Sequence, residues 1–170
     1  MVARAQLGDL RALDRVLATI QDPLFRHVRL ILGDDHEAED AMQEILLTIS
    51  RKLGSLRDVQ WFRAWAYRIA TREAVRHAQR LKRMPMSLDA DALDNIPARE
   101  DVRFDVDILE ELPAMITSLS PASQLVVRMH YLEGMTHSEV AEALELSLGT
   151  VKSRLAYGLG LLRTRLQTRT

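Results

Sequence analysis

Apolar positions fall at helical spacing along most of this chain. Leu7, Leu10, Leu13, Leu17 and Ile20 recur every three or four residues and predict a first helix. Asp22-Pro23 then reads as the N-cap and first position of a second helix. Leu24, Phe25, Val28, Ile31 and Leu32 give that helix an apolar face, and Gly33 ends it. A third helix is expected from about Asp35 to Leu53, closed by Gly54, with Ala38, Ala41, Met42, Ile45, Ile49 and Leu53 inward. After the loop signal GSLRDVQ (54–60), a long helix from Trp61 to Arg83 turns Phe62, Trp65, Ala66, Ile69 and Ala70 to the core.

The periodicity breaks over Met84–Asp107 and resumes after it. Ile108, Leu109, Leu112, Met115, Ile116 and Leu119 keep one face across Pro113, which should kink or split the helix. Ser120-Pro121 opens another, with Leu125, Val126, Met129 and Leu132 inward and Gly134 at its end. Thr136 and Glu139 form a capping box that starts a short helix bearing Val140, Ala141 and Leu144. Ser147 caps the next, whose buried stripe is Val151, Leu155, Leu159 and Leu162. Two helices joined by about three residues make a helix-turn-helix, the second helix of which enters a DNA major groove. No segment alternates with strand period, so the fold class is all-α: two small helical domains, 1–83 and 108–170, joined by a flexible acidic linker, 84–107.

Charge sharpens this picture. The formal net charge of −1 conceals a strong polarity. Residues 57–83 carry eight basic and two acidic groups, and residues 84–107 carry two basic and seven acidic groups. Arg68, Arg72, Arg76 and Arg80 recur every four residues, a cationic stripe that can follow a phosphate backbone. Trp61 and Tyr67 offer aromatic surface near the preceding loop, suited to holding unstacked bases; the alternative for Trp61 is a place in the core. On the third helix, Asp40, Gln43, Glu44 and Leu47 share the outer face. They are either a solvated face or a docking face for an Arg-rich partner helix. On the last helix Gly149, Ser153, Ala156 and Gly160 lie opposite the leucines, with Thr150 and Tyr157 beside them and Lys152 and Arg154 at the rim. Small groups at the centre and cations at the rim suit base-edge readout.

The chain has no cysteine, which removes disulfides, thiol nucleophiles and cysteine-based zinc sites. No apolar run reaches the roughly 20 residues of a membrane span, and the N-terminus does not read as a signal peptide, so a cytoplasmic protein without membrane insertion is expected. The five histidines show no metal-ligand spacing, and neither a catalytic triad nor a phosphate loop is suggested, so no enzyme, metal or cofactor is expected.

With these residues in place, the chain resembles the extracytoplasmic-function sigma factors of the sigma-70 family. AEDAMQEILLTI (38–49), FRAWAYRIA (62–70), the basic tail to Arg83 and EGMTHSEVAEALELSLGTVKSRL (133–155) carry the likeness, in the family order and over nearly the whole chain. The resemblance implies that Asp40, Gln43, Glu44 and Leu47 dock on core RNA polymerase. It implies that the loop with Ser55, Arg57, Asp58 and Trp61 captures a flipped base of the minus-10 element. Arg68, Arg72, Arg76 and Arg80 would then grip the melted strand. Ser147, Gly149, Thr150, Lys152, Ser153, Arg154, Ala156 and Tyr157 would read the minus-35 element. Promoter DNA, core polymerase and an anti-sigma factor are the implied partners.

Some residues depart from the family pattern. Arg72 and Arg76 stand where Asn and Asp are usual, and Glu145 replaces a frequent Gly in the helix-turn-helix turn. In a left-handed conformation a non-Gly residue there would cost about 1 kcal/mol. Tyr157-Gly158-Leu159 replaces an Arg-Ala-Arg tendency, and Gly158 and Gly160 would weaken the helix by roughly 0.5–1 kcal/mol each. That segment motivates one alternative, a sigma-fold mimic that sequesters an anti-sigma factor without binding DNA. A stand-alone helix-turn-helix repressor is a second, and it leaves the first domain unexplained.

Overall fold

The computed structural model describes residues 1–81 and 112–167. The stretch expected as a linker, with Lys82, Arg83, Ile108 and Leu109, lies outside the described residues. No strand occurs among the described residues. The chain divides into an N-terminal and a C-terminal unit, each taken by itself below.

The N-terminal unit holds α1 (Val2–Gln6), α2 (Leu10–Leu32), α3 (Asp35–Lys52) and α4 (Phe62–Arg80). Helices α2, α3 and α4 pack on one another, and α1 packs on α2. The N-termini of α2 and α3 are capped by aspartate: Asp9 accepts from the Ala12 N–H at 3.0 Å and Asp34 from the Glu37 N–H at 3.1 Å. Those bonds matter electrostatically as well. The Ala12 N–H first, and the Arg4 guanidinium second, hold the Asp9 carboxyl below its usual range. Helix α2 ends at Gly33, whose φ of 70° lets its N–H turn back to the Arg29 carbonyl at 2.8 Å.

The expected break at Asp22-Pro23 does not occur. Helix α2 runs through Pro23 without interruption. An interior proline costs about 3 kcal/mol. Val16, Ile20, Leu24, Val28 and Ile31 form one continuous buried line, and each large side chain gains about 1.5–3 kcal/mol from burial. Breaking the helix would split that line, so burial outweighs the lost bond. The same line corrects the face of the first segment: Ala12 and Val16 are inside, while Leu7 and Leu10 are exposed. On α3, by contrast, Ala38, Ala41, Met42, Ile45, Ile49 and Leu53 are all buried, as their spacing predicts.

Between α2 and α4 lies a buried polar trio. The Thr71 hydroxyl donates to the Tyr67 carbonyl at 2.9 Å, so its lone pair faces His27 Nε2 at 2.8 Å. The Tyr67 ring meets His27 edge-on at 5.0 Å. Tyr67 is only 2% exposed, which corrects its expected place on an aromatic surface: it is a core residue.

In the C-terminal unit a helical turn over 112–116 precedes α5 (Pro121–Val127), a π-helical turn (Arg128–Leu132), α6 (His137–Leu144) and α7 (Leu148–Gln167). Ser120 caps α5 with Pro121 in the first turn. Val151, Leu155, Leu159 and Leu162 are all buried, and α7 packs on α5. Gly158 belongs to that packing. A β-carbon there would stand 3.0 Å from Val127 Cγ2 and 3.3 Å from Leu119 Cδ1. Gly160 faces open space.

Candidate polymerase and nucleic-acid interfaces

The outer face of α3 stands as its pattern predicts. Asp40, Gln43, Glu44 and Leu47 are all exposed, opposite the buried stripe. One of them is already engaged: Arg80 Nη2 donates to Glu44 Oε2 at 2.9 Å. Hydrogen bonding to Arg80, reinforced by its charge, holds the Glu44 carboxyl below the usual range and pushes the Arg80 guanidinium up. About two turns back along α3 and one turn back along α4, His77 Nε2 meets Glu37 Oε2 at 2.7 Å. The outer face of α3 and the cationic stripe therefore meet through Glu44 and Arg80, although sequence reading treated them as two separate features.

The loop before α4 is built to hold its shape. Gln6 Nε2 donates to the carbonyls of Leu53 at 3.0 Å and Leu56 at 2.7 Å, tying the loop base to α1. Ser55 Oγ donates to the Lys52 carbonyl at 2.7 Å. Asp58 caps the short 3-10 turn Val59–Trp61 by accepting from the Gln60 N–H at 2.9 Å. Ser55, Arg57 and Asp58 are exposed, and Trp61, at 41% exposure, is a surface residue rather than core. Phe62 turns inward and stacks at a tilt on half-buried Trp65, with ring centres 6.2 Å apart. Of the stripe, Arg72, Arg76 and Arg80 are exposed and Arg68 is half-buried. Arg76 shares its charge with Glu73 at 2.9 Å on the same helix.

The helix-turn-helix forms on the expected residues. The capping box closes in both directions: the Thr136 N–H donates to Glu139 Oε2 at 2.8 Å, and the Glu139 N–H donates to Thr136 Oγ1 at 3.2 Å. The turn occupies 145–147. Glu145 has φ of 56°, the one positive-φ residue other than glycine among the described residues. The left-handed turn is thus made by glutamate. Ser147 Oγ accepts from the Thr150 N–H at 3.0 Å and bonds the Thr150 hydroxyl at 2.8 Å, which fixes the first turn of α7.

Along α7, Ser147, Gly149 and Lys152 are exposed, and Thr150, Ser153, Ala156 and Tyr157 are half-buried. Arg154 is the exception. It is 1% exposed, so it forms no part of the exposed strip on whose rim the sequence placed it. At 100° per residue Arg154 lies about 40° beyond Gly158 and about 60° from Val151, on the edge of the buried arc. Leu148, by contrast, is an exposed residue that the spacing argument passed over.

Comparison with known proteins places both units. Residues 17–84 match the model described as "Sigma-70 region 2", and residues 109–162 match "Sigma-70, region 4". RNA polymerase sigma-H factor of Pseudomonas aeruginosa is 27% identical over 166 residues, spanning 91% of this chain and 86% of that protein. ECF RNA polymerase sigma factor SigE of Mycolicibacterium smegmatis is 28% identical over 92% of this chain and 63% of its own length. ECF RNA polymerase sigma-E factor of Escherichia coli is 26% identical over 167 residues. Among solved structures, CnrH in complex with the cytosolic domain of CnrY shares the fold, with a TM-score of 0.62 at 20% identity over 99% of this chain and 96% of that one. With region 2 and region 4 matched in order and these relatives spanning nine-tenths of its length, the chain belongs to the extracytoplasmic-function group of the sigma-70 family.

Proposed function

We infer that the protein is a promoter-specificity factor: it binds core RNA polymerase, directs it to particular promoters and opens them. The carrying observation is the capped helix-turn-helix over 136–167, in one chain with a unit whose α3 presents two carboxylates, an amide and a leucine outward. The domains divide the work: 1–83 for docking and the minus-10 element, 108–170 for the minus-35 element, with 84–107 linking them. Asp40, Gln43, Glu44 and Leu47 dock on a basic, partly apolar helical element of the polymerase. Trp61 and Arg57 border the loop that takes a flipped base, and Arg68, Arg72, Arg76 and Arg80 hold the displaced strand. Flipping costs a few kcal/mol, which stacking on an exposed tryptophan and charge on the stripe offset. Lys152, Ser153, Thr150 and Ala156 meet base edges, with Ser147, Gly149 and Tyr157 beside them. No bond is made or broken by the protein itself.

An anti-sigma factor that covers the α3 face and α7 would supply control, in the cytoplasm. The solved structure of sigma factor RpoE with anti-sigma factor NepR from Bartonella quintana has a TM-score of 0.60 to this chain and lends that reading support. The mimic alternative drew on the altered segment 157–160. Gly158 has a packing role there, which accounts for the glycine, while Tyr157 and Leu159 still stand where arginines are usual.

The test is docking. Asp40→Arg reverses the charge of the face while leaving the Glu44–Arg80 pair in place. It should abolish co-elution with core polymerase while the circular dichroism spectrum stays helical. Retained co-elution of the folded variant would sink the docking assignment.

A further inference from the structure

Among the described residues of the C-terminal unit, one large apolar side chain is exposed: Leu148, at 43%. The other large aliphatic side chains of α7 with stated burial, Val151, Leu155, Leu159 and Leu162, are buried, and Leu161 is half-buried. Leu148 opens α7, and the N-terminal residues of a recognition helix are the ones that meet base edges. We propose that Leu148 is a specificity-determining residue that reads the 5-methyl group of a thymine in the minus-35 element. The inference rests on the proposed reading of α7 as the minus-35 helix.

Three features of the site support it. The first turn of α7 is held by the Ser147–Thr150 bonds at 3.0 and 2.8 Å, so Leu148 is presented in a fixed direction. Its neighbour Gly149 is exposed and carries no side chain to screen it from a groove. Lys152, four residues on, shares its face and is exposed. A leucine followed one turn later by a lysine offers an apolar contact beside a cation. In the major groove that pair matches a thymine methyl next to a guanine edge or a phosphate. Asparagine or glutamine, the residues that read adenine, are absent from 147–157.

The experiment uses the full chain with core polymerase and a promoter fragment that it transcribes. Each minus-35 thymine is replaced singly by deoxyuridine, which removes the methyl and leaves every hydrogen-bonding group. Burying one methyl corresponds to about a fourfold change in affinity. The wild-type holoenzyme should lose about fourfold at one position. Leu148→Ala should bind the parent promoter about fourfold more weakly and be indifferent to deoxyuridine there. Leu148→Met should keep the sensitivity. Equal sensitivity of Leu148→Ala at that position, or no sensitive position in the wild type, would overturn the proposal. A holoenzyme that transcribes yet ignores transversions throughout the minus-35 element would overturn the reading of α7 itself, and the Leu148 assignment with it.

Discussion

Gly158 and Gly160 offer one chemical change at two neighbouring sites with opposite expected signs. Both lie inside α7, where replacing glycine by alanine gains about 0.5–1 kcal/mol in helix propensity. At Gly160 nothing lies within 4 Å of the added carbon, so Gly160→Ala should stabilise by about that amount. At Gly158 the added carbon lies 3.0 Å from Val127 Cγ2 and 3.3 Å from Leu119 Cδ1. Val127 is fully buried and β-branched, so its methyl has one favoured rotamer and little room to retreat. Overpacking of this kind costs about 1–3 kcal/mol. Subtracting the propensity gain leaves Gly158→Ala destabilising by about 1 kcal/mol. Urea unfolding followed by circular dichroism, on both variants and the wild type, measures the two changes directly. The midpoints should move in opposite directions with unchanged slope. A Gly158→Ala protein as stable as Gly160→Ala would refute the close approach of α5 and α7. The consequence reaches function, because that approach sets where the recognition helix stands.

Three further outcomes follow from the geometry. Arg154→Ala should cost about 2 kcal/mol or more of stability, since it removes a buried side chain, whereas Lys152→Ala should change stability by less than about 0.5 kcal/mol and weaken promoter binding by about 1–3 kcal/mol; thermal unfolding and filter binding on the two variants separate the roles. Glu145→Gly should be more stable than Glu145→Ala by about 1 kcal/mol, because both lose the carboxylate and only glycine relieves the left-handed backbone, and denaturant unfolding of the two variants checks it. The Glu44 carboxyl is held below its usual 4.5 by Arg80, so its contribution is present above that value and fades as pH falls through the lower folded one; carboxyl NMR titration should find Glu44 titrating below 4.5, and Arg80→Ala should return it towards 4.5.

Much of this architecture was legible because local and tertiary signals agree. The α3 stripe, the Ser120-Pro121 start, the capping box at Thr136 and the α7 stripe each combine a cap with an unbroken apolar period, and each stands where the residues put it. The misreadings share a different cause. Pro23 and Tyr67 were judged by residue type, yet a continuous buried line and an edge-on ring contact with His27 decide their places. Arg154 was judged by charge, although its position on the helical arc set it among buried neighbours. Gly158 was judged by propensity alone, which holds no information about Val127. The π-helical turn Arg128–Leu132 had no signal in the apolar spacing, because a single extra residue per turn leaves both flanking stripes intact. The Glu44–Arg80 pair joins residues 36 positions apart and was beyond any local pattern.

The central claim is that this chain gives core RNA polymerase its promoter choice. Run-off transcription tests it most directly, with the purified protein, core polymerase from the same source and a library of genomic promoter fragments. The account predicts discrete transcripts that require the protein and disappear with Asp40→Arg. An absence of transcripts together with an absence of binding to core would contradict it.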